Sequence, residues 1–381
     1  MQRNVVMSVR ASLLFILFIV FNFPLVVNAL DLEVTGYSTL LGTYTDADPN
    51  NIYEHNYADK YVDFTHQSRA GVQFNSKINE DFEFSLTLLM EGSDNYTARA
   101  DWFYATYAAS EDTHFRFGRL KVPFYMVSNY IDIGYAYPWV TPPPEVYSTN
   151  LIGSVDGIEL VYDTTTDSGT NWLFELYFGS SKNDDILSPA VIDDATNPTA
   201  GFKKGDKILF DSHNMIGFEA LVSRGGFTFR TGYYQALVDA TEFAISGEIT
   251  SVASVGVIVD WHHFVLYSEI VTRDSSDKVD VLFADQTASY VTFGYRFGHI
   301  LPYITSAKID GGNQQSIHAL RQSSIGGGIR YEVSDSTAVK MEILNVKATS
   351  KAGDIGDYGL FNDPMLGQSA NIYAMSLDIL F

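Results

Sequence analysis

The chain has 381 residues, with 24 Lys+Arg against 46 Asp+Glu, a formal charge of −22, and no cysteine. The missing thiols exclude disulfide frameworks, thiolate metal sites and Cys nucleophiles. The acidic balance argues against nucleic acid as a partner, because a phosphate backbone calls for a basic face.

Residues 1–29 carry Arg3 and Arg10, then a mostly apolar run over 11–27, and end Val27-Asn28-Ala29. This has the form of a secretory leader cut before Leu30, in preference to a retained membrane anchor. No later stretch approaches the roughly 20 apolar residues of a membrane helix. The expected organisation is a leader over 1–29 and one domain over 30–381, undivided by any linker or low-complexity tract.

From residue 32 the chain alternates in character. Alternating runs fall at 32–41, 63–75, 82–91, 100–109, 113–119, 155–163, 171–180, 213–223, 226–236, 253–261, 264–272, 288–297, 300–308, 321–332, 337–347 and 371–381. In 82–91, Phe82, Phe84, Leu86 and Leu88 oppose Glu83, Ser85 and Thr87. In the last run, Tyr373, Met375, Leu377, Ile379 and Phe381 share one face. Period 2 predicts strands, about sixteen of them, each near the length that crosses a bilayer at a tilt. Tight connections such as Ser110-Glu111-Asp112, Arg224-Gly225, Gly298-His299 and Ser334-Asp335-Ser336 alternate with long ones at 42–61, 120–154, 181–212, 237–252, 273–287 and 348–370. One rim of turns and one rim of loops is the layout of an outer-membrane barrel. A soluble β-sandwich shares the alternation. Against it stand the run lengths and the aromatics near run ends, among them Trp102, Tyr104, Trp172, Tyr233, Tyr234, Trp261 and Tyr295.

The chain resembles the Gram-negative outer-membrane porins of the sixteen-stranded, trimeric kind, over all of 30–381. The resemblance rests on the strand series, the terminal Phe381, and His114-Phe115-Arg116-Phe117-Gly118-Arg119 leading into a long third connection. It implies an all-β transmembrane antiparallel barrel whose third loop, 120–154, folds inward to narrow the pore. It further implies a homotrimer in the outer membrane, with surrounding lipid and small hydrophilic solutes or ions as its partners. The loop departs from the family pattern by lacking a Pro-Glu-Phe-Gly-Gly tip. It carries instead an aromatic stretch at 130–137 and Pro142-Pro143-Pro144-Glu145.

Sixteen strands leave an aqueous lumen. By parity with the apolar faces, Arg69, Arg116, Arg230, Arg296, Arg330 and Lys340 face inward, with Glu83, Glu175, Glu269, Glu332 and Glu342. The expected constriction sets Arg69, Arg116 and Arg119 against Asp132 and Glu145, with Arg330 also lining the pore. Arg119 shares parity with Phe115 and Phe117, so it belongs there only if its strand ends before it. A basic pair such as Arg69 and Arg330 could instead grip phosphate or another oxyanion, and a non-conducting barrel could serve as an adhesin. Asp46, Asp48 and Asn50 open like an EF-hand loop, but Asn51 and Tyr57 stand where the Gly and closing Glu belong. His262-His263 fits a turn. Gly326-Gly327-Gly328 interrupts a strand and leaves room for close approach. No catalytic motif occurs, and no cofactor or metal is expected.

Overall fold

The computed structural model describes residues 31–47, 58–148, 152–187, 207–280, 284–311, 321–348, 360–361 and 369–381. The expected leader lies outside them, as do Asp48, Asn50 and Tyr57 of the acidic loop.

Sixteen strands follow in order: β1 (Asp31–Thr45), β2 (Arg69–Lys77), β3 (Phe82–Glu91), β4 (Arg99–Ala108), β5 (Thr113–Lys121), β6 (Ser154–Thr165), β7 (Asn171–Leu187), β8 (Lys207–Arg224), β9 (Phe227–Ala240), β10 (Ile245–Trp261), β11 (Phe264–Ser275), β12 (Gln286–Tyr295), β13 (Ile300–Gly311), β14 (Arg321–Ser334), β15 (Thr337–Ala348) and β16 (Ser369–Leu380). Each pairs antiparallel with its chain neighbours, and β16 pairs back onto β1 to close the ring. At the seam Phe381 N donates to Gly36 O at 2.9 Å and Gly36 N donates to Phe381 O at 2.6 Å. Closure removes the free edge that hydrocarbon would leave unpaired. Among the described residues no helix is long and apolar enough to cross a membrane.

The turn rim follows local chemistry. Between β8 and β9, Gly225 and Gly226 have φ of 56° and 88°, the positive values a two-residue hairpin asks of both central positions. A Cβ on Gly226 would also strike Asp260 O. Between β2 and β3, Asn79 Oδ1 accepts from the backbone N–H groups of Asp81 and Phe82, each at 2.9 Å. His262 and His263 form the β10–β11 turn, with His262 at φ 56°.

The expected strand at 63–75 begins only at Arg69. Upstream, Asp63 Oδ1 accepts from Thr65 N at 2.5 Å, a local bond that competes with the ladder and leaves Thr43↔Asp63 as an isolated bridge. In contrast, β7, β8 and β10 run past their expected limits at 180, 213 and 253. Register shifts at Gly179/Ser181, His213/Ile216 and Ile245/Glu248 break the period-2 pattern there, which hid the extensions.

The two faces are reversed relative to a soluble protein. Phe117, Ile158, Phe174, Phe178, Phe229, Phe293, Ile329 and Ile343 are exposed on the outer wall. Glu159, Glu219, Arg230, Glu269, Arg330, Lys340 and Asp378 are buried inside. A sandwich would place the first set in its core. A charge on the outer face therefore costs bilayer solvation. Ile343→Arg should lower unfolding free energy in lipid vesicles by about 2–4 kcal/mol, while inward-facing Thr106→Arg should change it far less, as read by denaturant titration.

Candidate pore constriction

The third long connection leaves β5 at Lys121 and turns into the barrel. Its entry is pinned at once. Arg230 Nη2 donates to Pro123 O at 2.6 Å while its Nε and Nη2 hold the Glu219 carboxylate at 2.6 and 2.7 Å. Ser254 Oγ donates to Phe124 O at 2.9 Å, and the Phe124 ring stacks on Tyr234 with centroids 4.1 Å apart. Glu269 accepts from Met126 N at 2.8 Å and from the Tyr147 hydroxyl at 3.0 Å, so one wall carboxylate holds both ends of the loop.

The middle of the loop crosses to the far wall. Arg69 Nε donates to Asp132 O at 2.9 Å, and its Nη2 donates to Ile131 O at 3.1 Å and Tyr137 Oη at 2.7 Å. Arg330 Nη1 donates to Tyr137 O at 3.0 Å and to Tyr135 O. Lys340 Nζ donates to Gly134 O at 2.5 Å and Trp139 O at 2.7 Å, and lies 3.1 Å from Asp378. Gly134 sits so close that a Cβ would collide with Asp378 Oδ1 and Thr39 Oγ1. Trp139 Nε1 donates to Thr292 Oγ1 at 2.8 Å, and its ring meets Tyr267 and Tyr290 edge-on at 4.9 and 5.5 Å. Near the exit a single helical turn, α1 (Pro144–Tyr147), places Glu145 Oε1 to accept from Gln322 Nε2 at 2.8 Å.

These contacts tie the loop to β8–β12, β14–β16, β1 and β2. Against β4–β7 lies a recess of ≈310 Å³ lined by Trp102, Tyr104, Arg116, Lys121, Asn129, Glu159, Asp163 and Glu175, with Leu120, Val161 and Leu173. Arg116 stands opposite Glu159 in register, 2.9 Å from it and 3.5 Å from Glu175, with the Tyr104 ring 5.6 Å away. Lys121 bridges Asp101 at 3.2 Å and Asp132. Burial alone would raise the Asp132 carboxyl, but the Lys121 ammonium and Arg69 guanidinium outweigh it and hold the group below the usual carboxylate range. A second recess of ≈230 Å³ lies nearer the turn rim, lined in part by Tyr135, Tyr137, Asp260, Arg296, Arg330 and Glu332.

The expected charge set is thus divided. Arg116 lines the recess against β4–β7. Arg69 and Asp132 do meet, but Arg69 is spent on loop carbonyls, and Arg330 is spent in the same way. Glu145 does not face a passage: it is fully buried between α1 and β14. Arg119 is corrected to the outer wall. Its strand continues to Lys121, so parity with Phe117 holds, and it pairs there with Asp156 at 3.0 Å. Lys121, Asp101, Glu159 and Trp139 escaped sequence reasoning. Glu159 was readable from parity with Val161, but Lys121 shares the parity of Phe117 and Arg119, so only the structure brings it to Asp101 and Asp132. The hydrogen-bond partners of Trp139 were not readable, since they lie more than 150 residues away. Among the described residues no group of three His, Cys, Asp or Glu side chains is placed to hold a metal.

No family model and no curated protein matches the chain. Solved structures do. Salmonella typhi OmpF, in complex with daunomycin, superposes with a TM-score of 0.58 at 15% identity, over 92% of this chain and 97% of that one. The fold is that of the general porins. An anion-selective porin from Comamonas acidovorans gives 0.55 at 13% identity over 92% and 100%. In vitro folded OmpT of Vibrio cholerae, in its trimer form, gives 0.57 at 12% over 93% and 100%.

Two outcomes test the anchoring. Lys340→Met leaves Asp378 buried without its cation and strands two loop carbonyls, so it should destabilise the barrel by about 3–5 kcal/mol and raise hydrogen exchange over 134–139. Burial pushes the Glu145 carboxyl above the ordinary glutamate range. Its neutral form is the one the folded loop favours. The anchor is therefore fully present below the unfolded-state value and weakens as pH rises through the raised folded value. Glu145→Gln should remove that dependence, giving pH-independent exchange protection over 144–147 where the parent loses protection with rising pH.

Proposed function

We propose that this chain is an outer-membrane channel for passive diffusion of small hydrophilic solutes and ions, narrowed by the loop 120–154 and assembled as a homotrimer after removal of residues 1–29. The observation that carries this reading is the loop itself. Its backbone is clamped across the lumen by four wall bases, and a charged opening is left on the β4–β7 side. A barrel serving only as an adhesin gains nothing from a braced internal loop beside an open passage. The trimer form of Vibrio cholerae OmpT supports the proposed assembly. No enzymatic role is proposed.

Passage is passive and sorted by size and charge at the opening. Its lining holds the bases Arg116 and Lys121 against the acids Glu159, Asp163 and Glu175, with Asp101 and Asp132 on Lys121. Facing acids outnumber bases, so the local potential raises cation concentration in the narrow part. The oxyanion-selective alternative is weaker, because the guanidinium groups of Arg69 and Arg330 are already bonded to loop carbonyls.

Reconstitution in planar bilayers is the test. Stepwise conductance is expected, with a reversal potential of cation-selective sign under a KCl gradient, and Asp163→Asn should shift that potential toward zero. Insertion without current steps would overturn the channel reading; an anion-selective sign would overturn only the charge assignment.

A further inference from the structure

We propose that the recess against β4–β7 is a binding site for a short basic peptide, with the peptide's ammonium on Glu175 and its carboxylate toward Trp102 and Lys121. This deepens the channel reading, on which it rests for access from the lumen.

The acidic end follows from the inward charges of β5–β9. Three buried carboxylates, Glu159, Glu175 and Glu219, stand beside two guanidinium groups, those of Arg116 and Arg230. Glu219 takes Nε and Nη2 of Arg230 at 2.6 and 2.7 Å. Arg116 gives its nearer bond to Glu159 at 2.9 Å and lies 3.5 Å from Glu175 Oε1. Glu175 Oε2 has no hydrogen-bond partner among the described residues, although Glu175 is 3% exposed and directly opposite Glu219. The uncompensated charge therefore falls on Glu175. A buried acceptor without a donor carries its full desolvation cost, and an ammonium group removes that cost.

The other end calls for an acceptor. Trp102 Nε1 is buried and donates to nothing among the described residues. The Lys121 ammonium lies 5.6 Å from the centre of the Trp102 ring, and Asn129 of the loop also lines the recess. The stretch between the ends suits methylenes. Val161 stands opposite Glu175 and Leu173 opposite Asp163, so apolar side chains alternate with carboxylates along β6 and β7.

Length sets the size of the ligand. Tyr104 is level with Gly118 and Gly157, Arg116 with Glu159, and Val161 with Glu175. Trp102 stands one inward position beyond Tyr104 toward the loop rim. The two ends are thus three inward positions apart, about 20 Å of wall. A single amino acid is short for that span. Two or three extended residues at about 3.4 Å each, with a lysyl side chain and the inward reach of Trp102 and Glu175, cover it. The volume of ≈310 Å³ lies at the small end of ligand sites and keeps the peptide short. Other ligands fit less well. A sugar would stack on aromatic faces, but the Tyr104 and Trp102 rings already carry Arg116 and Lys121, each 5.6 Å from a ring centre. A bare metal ion needs several converging oxygens, and among the described residues no three acids converge.

Equilibrium dialysis of the refolded protein in detergent, at low ionic strength, is the test. The probes are lysyl-glycyl-glycine, norleucyl-glycyl-glycine, which lacks the side-chain ammonium, and free lysine. Saturable binding of the first is expected, on the order of tenfold tighter than of either comparator. Glu175→Gln should weaken it by a similar factor. That variant removes one of two facing like charges, so it should keep the heat-induced gel shift of the parent. Trp102→Phe, which keeps an aromatic ring and removes Nε1, should weaken binding as well. Equal binding of the three probes would overturn the proposal, and so would undiminished binding by Glu175→Gln. Bilayer recordings on the same preparations separate the two readings. Current steps without saturable peptide binding overturn the site alone; saturable binding without current steps supports the site and overturns the channel alone.

Discussion

Everything in this molecule depends on the pairing of β16 with β1. Hydrocarbon offers no hydrogen bonds, so a sheet that crosses it must satisfy every backbone group internally. The ring does this by returning residues 372–380 to residues 37–45 and by locking Phe381 against Gly36 at the turn rim. Once closed, the sheet has only two faces to offer. The larger apolar side chains take the one that meets lipid, and the polar side chains are left to enclose the interior. An inside that is polar is the reason a loop can be held there by hydrogen bonds at all.

The loop is held in a manner that differs from ordinary core packing. Arg69, Arg230, Arg330 and Lys340 aim their donors at backbone carbonyls of the loop, while Glu269 accepts from its N–H and hydroxyl groups. A carbonyl is present at every residue, so such anchoring places little demand on loop sequence. Aromatic rings complete it, with Phe124 on Tyr234 and Trp139 between Tyr267 and Tyr290. Such anchoring suits an internal loop that lacks a Pro-Glu-Phe-Gly-Gly tip. It also means that the charges on the far wall are engaged with the loop, whereas those of the β4–β7 arc line the recess.

The charge separation along the wall follows the same logic. Arg116 and Glu159 are directly opposed across neighbouring strands, and Lys121 sits between two aspartates from different elements. Each base lining the recess is paired locally with a carboxylate. On the outside, Arg119 and Asp156 neutralise one another in the same cross-strand fashion.

Strand number, the long-and-short order of connections and the inward parity of Arg69, Arg116, Arg230, Arg330 and Lys340 were legible in the chain because alternation is a local property. Two residues of sequence always reverse the face. Local reasoning weakened where locality failed. Bulges at Gly179/Ser181 and His213/Ile216 disguised the upper parts of β7 and β8, and an Asp63 turn shortened β2. The place of Arg119 turned on whether β5 ended two residues early, which pairing with β6 decided. What each inward charge touches was decided only by the tertiary structure. Glu145 meets Gln322 and Lys340 meets Gly134 and Trp139 across separations of 177, 206 and 201 residues, set by ring closure and by the path of the loop. Sequence by itself determined which residues within a strand share a face. Folding determined which of them remain free in the lumen, because a hydrogen bond depends on position in space and alternation carries no record of it.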